Sequence, residues 1–144
     1  MPDPKIIQFP LGLRENLQYH YTKVEVSSAE ILTANSAPIT LVAAPGAGKM
    51  LIPIIVSYFY DYATAVYATN TELDVYHSTG VIKLNQIAGV IDQAADRYGI
   101  SHSANVHISN ITPNEALILK GPVGDPTGGG GTLTIYLWYI NLEL

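Results

Sequence analysis

Cysteine is absent from this 144-residue chain, which removes disulfides, thiol nucleophiles and thiolate metal sites, and leaves the redox compartment unread. Charge is scarce too: 13% of residues are Asp, Glu, Lys or Arg, with 7 basic side chains against 12 acidic ones and a net charge of −5. Electrostatic binding to nucleic acid or anionic lipid needs clustered Lys and Arg, so neither nucleic acid nor a membrane is expected as a partner. No apolar run reaches the roughly 20 residues of a membrane helix. The opening MPDPKIIQFPLGLRENLQ has three prolines and no long apolar core, so it is not read as a signal peptide. Heptads, Gly-X-Y triplets and internal repeats are missing as well, which excludes a fibrous shaft. What the chain does have is 48% apolar residues in a length that suits one domain. It has enough for a sizeable core, and so little surface charge that part of the surface is expected to lie against another molecule.

The period of the apolar residues points to strands. In TLTIYLWYINLEL, Leu133, Ile135, Leu137 and Tyr139 fall on one phase, and Thr132, Thr134, Tyr136 and Trp138 on the other. Further strands are expected at residues 21–26, 29–33, 39–43, 50–60, 71–77, 81–84, 105–111 and 116–120, each bounded by Gly, Pro, Asn, Asp or Ser. In residues 50–60 the phase Met50, Ile52, Ile54, Val56, Tyr58 and Tyr60 is expected to share one face. GVIDQAADRYG, residues 89–99, reads either as a short helix with Val90, Ile91, Ala94 and Ala95 in a stripe or as a loop. Many short strands without crossover helices imply an all-β fold, an antiparallel β-sandwich of jelly-roll type, over residues 19–144. Residues 1–18 have no clear period and carry Ile6, Ile7, Phe9 and Leu11 between prolines. Such a segment is either disordered or an extended arm laid on a neighbour; its apolar content suits the arm, with those four residues as anchors on a capsid or an adjacent subunit.

Candidates for chemistry are few. LVAAPGAGKML invites comparison with a phosphate-binding loop, but that loop needs Gly-x-x-x-x-Gly-Lys-Ser/Thr followed by a helix. Here Ala43 stands at the first glycine, Met50 at the hydroxyl, and Pro53 lies in the strand-like run that follows. A tight turn is the better reading, with Pro45 fixing φ, Gly46 and Gly48 at positive φ, and Lys49 solvated. His102 and His107 have a spacing that puts them on opposite faces of a strand, while His77 is in phase with Leu73 and Val75 and reads as a hydrogen-bonded strand residue. Asp92 and Asp96 read as a solvated face, Ser101 and Ser103 lack a nucleophile elbow, and Asn110 in NIT matches a glycosylation acceptor by accident. No catalytic, cofactor-binding or metal-binding residue is assigned, no cofactor is expected, and an enzyme is not.

Aromatic residues are the conspicuous feature: the chain has 10 tyrosines. Tyr58, Tyr60, Tyr62 and Tyr67 crowd one stretch, where their rings either pack the domain or serve surface recognition. In the last strand, if the Leu133 phase faces the core, Tyr136 and Trp138 face outward, where an oligomer interface would bury them.

These residues carry a resemblance. ILTANSAPITLVAAPGAGKMLIPIIVSYFYDYATAVYATNTELDVYH, followed downstream by NEALILKGPVGDPTGGGGTLTIYLWYI, resembles small structural proteins of tailed bacteriophage virions. The match rests on turns and strands over roughly residues 29–142. It implies a jelly-roll domain, commonly a homotrimer, used in capsid decoration (cement) proteins and in head or tail fibre parts. With no shaft present, the resemblance implies a decoration protein on the virion's capsid surface, partnered by the major capsid protein. The alternative is a fibre receptor-binding module that reads host glycans with Tyr58, Tyr60, Tyr62 and Tyr67.

Overall fold

A computed structural model of the chain describes residues 19–79, 83–101 and 112–144. In chain order the elements are β1 (Tyr19–Val26), α1 (Ser28–Ile31), β2 (Ile39–Val42), β3 (Lys49–Asp61), β4 (Tyr67–Ala68), β5 (Leu73–His77), β6 (Lys83–Ile87), β7 (Arg97–Ser101), β8 (Leu117–Lys120), β9 (Thr127–Gly128) and β10 (Thr132–Glu143). The protein is all-β, and every strand pairing among the described residues is antiparallel. One four-stranded sheet has the order β1-β10-β3-β7, a second has the order β2-β8-β5-β6, and β4 and β9 form a two-stranded ribbon.

Both large sheets feed one core. Val56, Tyr60, Leu133, Ile135 and Leu137 come from the first, and Leu41, Leu73, Val75, Leu84, Leu117 and Leu119 from the second. A hydrogen bond of 2.9 Å between His77 Nε2 on β5 and the Leu51 carbonyl on β3 joins the two sheets. This is the strand histidine expected from its phase, buried and locally satisfied at one nitrogen. The alternation expected in the last strand also holds: Leu133, Ile135 and Leu137 are buried, and Tyr139 packs against the same core.

The structure decides four expectations, overturning some and choosing between alternatives in others. Residues 29–33 are not a strand. Ser27 and Glu30 form a reciprocal capping box, with Glu30 Oε2 accepting from the Ser27 amide at 2.8 Å, and this starts α1 and turns Ile31 into the core. Of the two readings of residues 89–99, a short helix or a loop, the loop is the one found. Glycine at φ 66° (Gly89) begins a run of bends in which Val90 and Ile91 are buried while Ala94 and Ala95 are exposed, and the chain then extends into β7. The single phase expected for β3 breaks at a bulge: Trp138 pairs with Ile55 but Tyr139 with Pro53, so Ile54 has no partner. Val56 and Tyr60 therefore face the core on one side of the bulge, and Leu51 and Pro53 are buried on the other. Pro53, which cannot donate to a ladder, sits next to the bulge and beyond the Val56–Tyr60 stretch that β7 pairs.

The fourth concerns the tyrosines, for which packing and surface recognition were both open. Tyr60 and Tyr67 are 0% and 1% exposed, with ring centroids 6.3 Å apart, so neither is available for surface recognition. Their reason is local: the TGGGGT turn closes over them. A Cβ on Gly129 would lie 2.3 Å from the Tyr67 ring, one on Gly131 would lie 2.5 Å from both the Asp61 carbonyl and the Tyr60 ring, and the Gly131 carbonyl accepts from Tyr67 Oη at 2.6 Å. Tyr58 and Tyr62 are half-buried and also lean on the core.

Candidate functional site

Sheet geometry assembles an aromatic surface that no local stretch of sequence contains. Antiparallel pairing puts directly opposed residues on the same side of a sheet. Across the first sheet, Tyr21, Trp138 and Ile55 form one rung; Lys23, Tyr136, Ser57 and Ile100 form the next; Glu25, Thr134, Phe59 and Tyr98 form a third. Tyr19 extends the surface at the start of β1. All of these side chains are on the side away from the core, because their strand neighbours Leu133, Ile135, Leu137, Val56 and Tyr60 are buried.

The rungs differ in character. At the β1–β10 end, the rings of Tyr21 and Trp138 lie 5.1 Å apart at 48°, and Trp138 remains 38% exposed. At the β7 end, Tyr98 and Ile100 are exposed, at 84% and 62%. They are held there because Gly99 between them points inward, where an added Cβ would fall 2.5 Å from Tyr58 Oη. Between the two ends stand half-buried Ile55, Ser57, Phe59 and Tyr136, with Thr134 beside Phe59. Charge on this side comes from Lys23 and Glu25, which neutralise each other at 2.6 Å in solvent, and from exposed Asp61, opposite Thr132 and two positions beyond Phe59. An open groove of about 340 Å³ beside Glu25, Ser27, Thr132 and Thr134 carries a single titratable side chain, Glu25, and so no acid–base pair. Tyr136 and Trp138 thus lie on the outward side, as their phase requires, whereas the roles of Tyr98 and Ile100 were not read from sequence. Their signal was present as alternation in RYGIS, but it was hidden inside a segment that also fits a helix.

The other candidates do not converge. Lys49 opens β3 and pairs with Glu143 of β10 at 3.2 Å, while Gly46 and Gly48 take φ of 103° and 73°, so APGAGK is a turn. Asp96 accepts from the Tyr62 amide at 3.0 Å, tying its loop to the end of β3, and Asp92 accepts from the neighbouring Gln93. His20 stacks on Tyr139 at 5.2 Å, and Ser101 ends β7. Among the described residues no three His, Asp or Glu side chains gather as metal ligands. His102, Ser103, His107 and Asn110, the strand expected at 105–111, and Ile6, Ile7, Phe9 and Leu11 lie outside the described residues.

One charged cluster closes over a buried carboxyl group instead. On β5 and β6, Lys83 Nζ lies 2.6 Å from Asp74 Oδ2 and also pairs with Glu72, which accepts from Gln86 Nε2 at 2.9 Å. Asp74 is 0% exposed and its Oδ1 has no hydrogen-bond partner. Burial therefore outweighs the attraction of Lys83 and pushes the Asp74 carboxyl up to about 6. Lys83 is disfavoured by burial, but hydrogen bonds and charge from Asp74 and Glu72 together raise its pKa, and the Lys83 hydrogen bond lowers that of Glu72. The arrangement is an ion triad tying two strands, with Lys120 Nζ 5.9 Å from the adjoining Tyr76 ring.

Comparison with family models, with curated proteins and with solved structures gives no match.

Proposed function

We propose that this chain is a bacteriophage capsid decoration protein, a homotrimer on the outer shell of the virion that binds the major capsid protein and stabilises the shell. The observation that carries the reading is the aromatic face of the β1-β10-β3-β7 sheet. A large apolar area with few charges, two of them paired at one edge, suits permanent contact with protein. The resemblance to phage structural proteins supplies the setting. A jelly roll is part of the proposal, and the strand order supports it. Leaving aside the two-residue strands β4 and β9, the remaining strands numbered along the chain lie in the orders 1-8-3-6 and 2-7-4-5. That is the nesting of a hairpin with successive partners 4–5, 3–6, 2–7 and 1–8, rolled into two sheets.

The segment before β1, with Ile6, Ile7, Phe9 and Leu11, supplies the grip on the shell in this reading, by adding to a neighbour's exposed edge or pocket. A trimer with three such arms ties capsomers together by multivalency, so contacts that are individually weak resist outward pressure from packaged DNA. Co-sedimentation of the purified protein with undecorated shells tests the function. Saturable binding at three copies per site, lost on deletion of residues 1–18, is expected; no binding to any shell refutes it. Recognition of host glycans by a fibre module is the weaker reading, since it relied on Tyr58, Tyr60, Tyr62 and Tyr67 and two of these are core residues.

A further inference from the structure

The outward side of the β1-β10-β3-β7 sheet is one continuous face. It runs from the rung of Tyr19, Ile140 and Ile52 to the rung of Glu25, Thr134, Phe59 and Tyr98. The six positions from Tyr19 to Glu25 give it a length of about 20 Å along the strands. Tyr19 is 71% exposed, Tyr21 53% and Tyr98 84%, so the described residues leave much of it in water. Asp61 stands two positions past Phe59, an exposed carboxylate just beyond the far end. Residues 1–18 enter at the opposite corner, because they join β1 at Tyr19. That segment has no period over its whole length, but Ile7, Phe9, Leu11 and Leu13 stand two apart, and residues two apart share one side of an extended chain. From Ile7 to Leu13 is again six positions, about 20 Å. Lys5 stands two positions before Ile7, as Asp61 stands two beyond Phe59. Residues 14–18 reach up to about 16 Å, enough to reverse the chain across the roughly 10 Å between stacked layers.

We infer that residues 1–18 double back antiparallel to β1 over the outward face of their own copy, with Ile7, Phe9, Leu11 and Leu13 against its rings and Lys5 beside Asp61. The occupant of the face is thus a segment of the same chain, a strap that keeps apolar surface from water in the free protein. Its length, its apolar spacing and its charge each match the face in this one direction. The contact is intramolecular by reach: a short tether holds the anchors over their own face at an effective concentration of about millimolar, so individually weak contacts suffice. Pro10 is compatible, since a strap lying on side chains needs no ladder hydrogen bond from that position. The inference concerns the free chain and goes beyond the shell reading. On a shell the arm leaves the face, and arm and face become available to the capsid protein together.

Trp138 is the single tryptophan and lies on this face, so its fluorescence reports the cover. Acrylamide quenching and the emission maximum are compared among the full-length chain, a chain lacking residues 1–18, and the full-length double variant Phe9→Ser, Leu11→Ser. The ring is expected to be protected in the full-length chain. Both variants are expected to lose that protection and to emit at longer wavelength. The core residues named above all lie beyond residue 18, and circular dichroism with thermal melts verifies that the truncated chain is folded. A mixture tests whether the strap is on its own copy. Truncated chains are refolded together with full-length Trp138→Phe chains, so that every arm belongs to a copy without tryptophan and every tryptophan to a copy without an arm. Trp138 is expected to stay as accessible as in the truncated chain alone. Protection restored in the mixture would place the arm on a neighbouring copy and overturn the inference. Equal accessibility in the full-length and truncated chains overturns it as well, and leaves the shell reading to its own test by co-sedimentation.

Discussion

Two core tyrosines differ in whether their hydroxyls are hydrogen-bonded, and that difference gives a sharp prediction. Tyr60 and Tyr67 are both buried with rings 6.3 Å apart. Tyr67 Oη donates to the Gly131 carbonyl at 2.6 Å, whereas Tyr60 Oη has no hydrogen-bond partner. Tyr67→Phe keeps the ring but strands a buried carbonyl, a cost of about 1–3 kcal/mol. Tyr60→Phe removes a hydroxyl whose desolvation is uncompensated, so stability is expected to stay within about 0.5 kcal/mol or to rise by about 1 kcal/mol. For a chain of this size, each kcal/mol moves Tm by roughly 2–4 °C. Tyr67→Phe should therefore melt several degrees lower and Tyr60→Phe at the original temperature or above. Urea unfolding followed by the fluorescence of Trp138, the single tryptophan, measures both variants, with protein concentration fixed because assembly contributes to apparent stability. A Tyr60→Phe variant as destabilised as Tyr67→Phe would refute the assignment of the hydrogen bond and, with it, the account of why the glycine turn closes over these rings.

Two further perturbations act on other parts of the fold. Gly131→Ala places a Cβ 2.5 Å from the Asp61 backbone carbonyl and from the Tyr60 ring; because the backbone cannot yield as a side-chain tip can, a loss of about 2–4 kcal/mol is expected by urea titration, and a loss below 1 kcal/mol would contradict the close packing of the turn. Asp74 sets a pH dependence: its folded pKa is raised from 3.8 to about 6, so the folded state holds a proton that the unfolded chain has released. Its contribution is fully present below about pH 4 and lost as pH rises through about 6, at most on the order of 3 kcal/mol at about 1.4 kcal/mol per pH unit. Glu72, lowered by the Lys83 hydrogen bond, acts in the opposite sense in acid. Stability curves from pH 4 to 7 should therefore flatten in Asp74→Asn, and an unchanged slope would remove Asp74 as the titrating group.

What the sequence alone determined follows from composition and short-range period. Short segments of alternating apolar residues without crossover helices suffice for an all-β antiparallel chain. The inward phase of Leu133, Ile135, Leu137 and Tyr139 and the turn at Gly46 and Gly48 were legible for the same reason: each depends on neighbours within a few positions. The capping box of Ser27 and Glu30 stands in the sequence as Ser-x-x-Glu, a signal that the strand reading of residues 29–33 passed over.

Tertiary structure decided what depends on residues far apart. The bulge at Ile54 exists because β10 and β3 pair over twelve positions with one residue too many on one side, and no window of β3 by itself contains that mismatch. Tyr60 and Tyr67 are core residues because glycines more than sixty positions later fold over them. The aromatic face arises the same way: Tyr21, Trp138, Phe59 and Tyr98 come from four strands scattered from one end of the chain to the other, and only the order in which those strands pair lays their rings side by side.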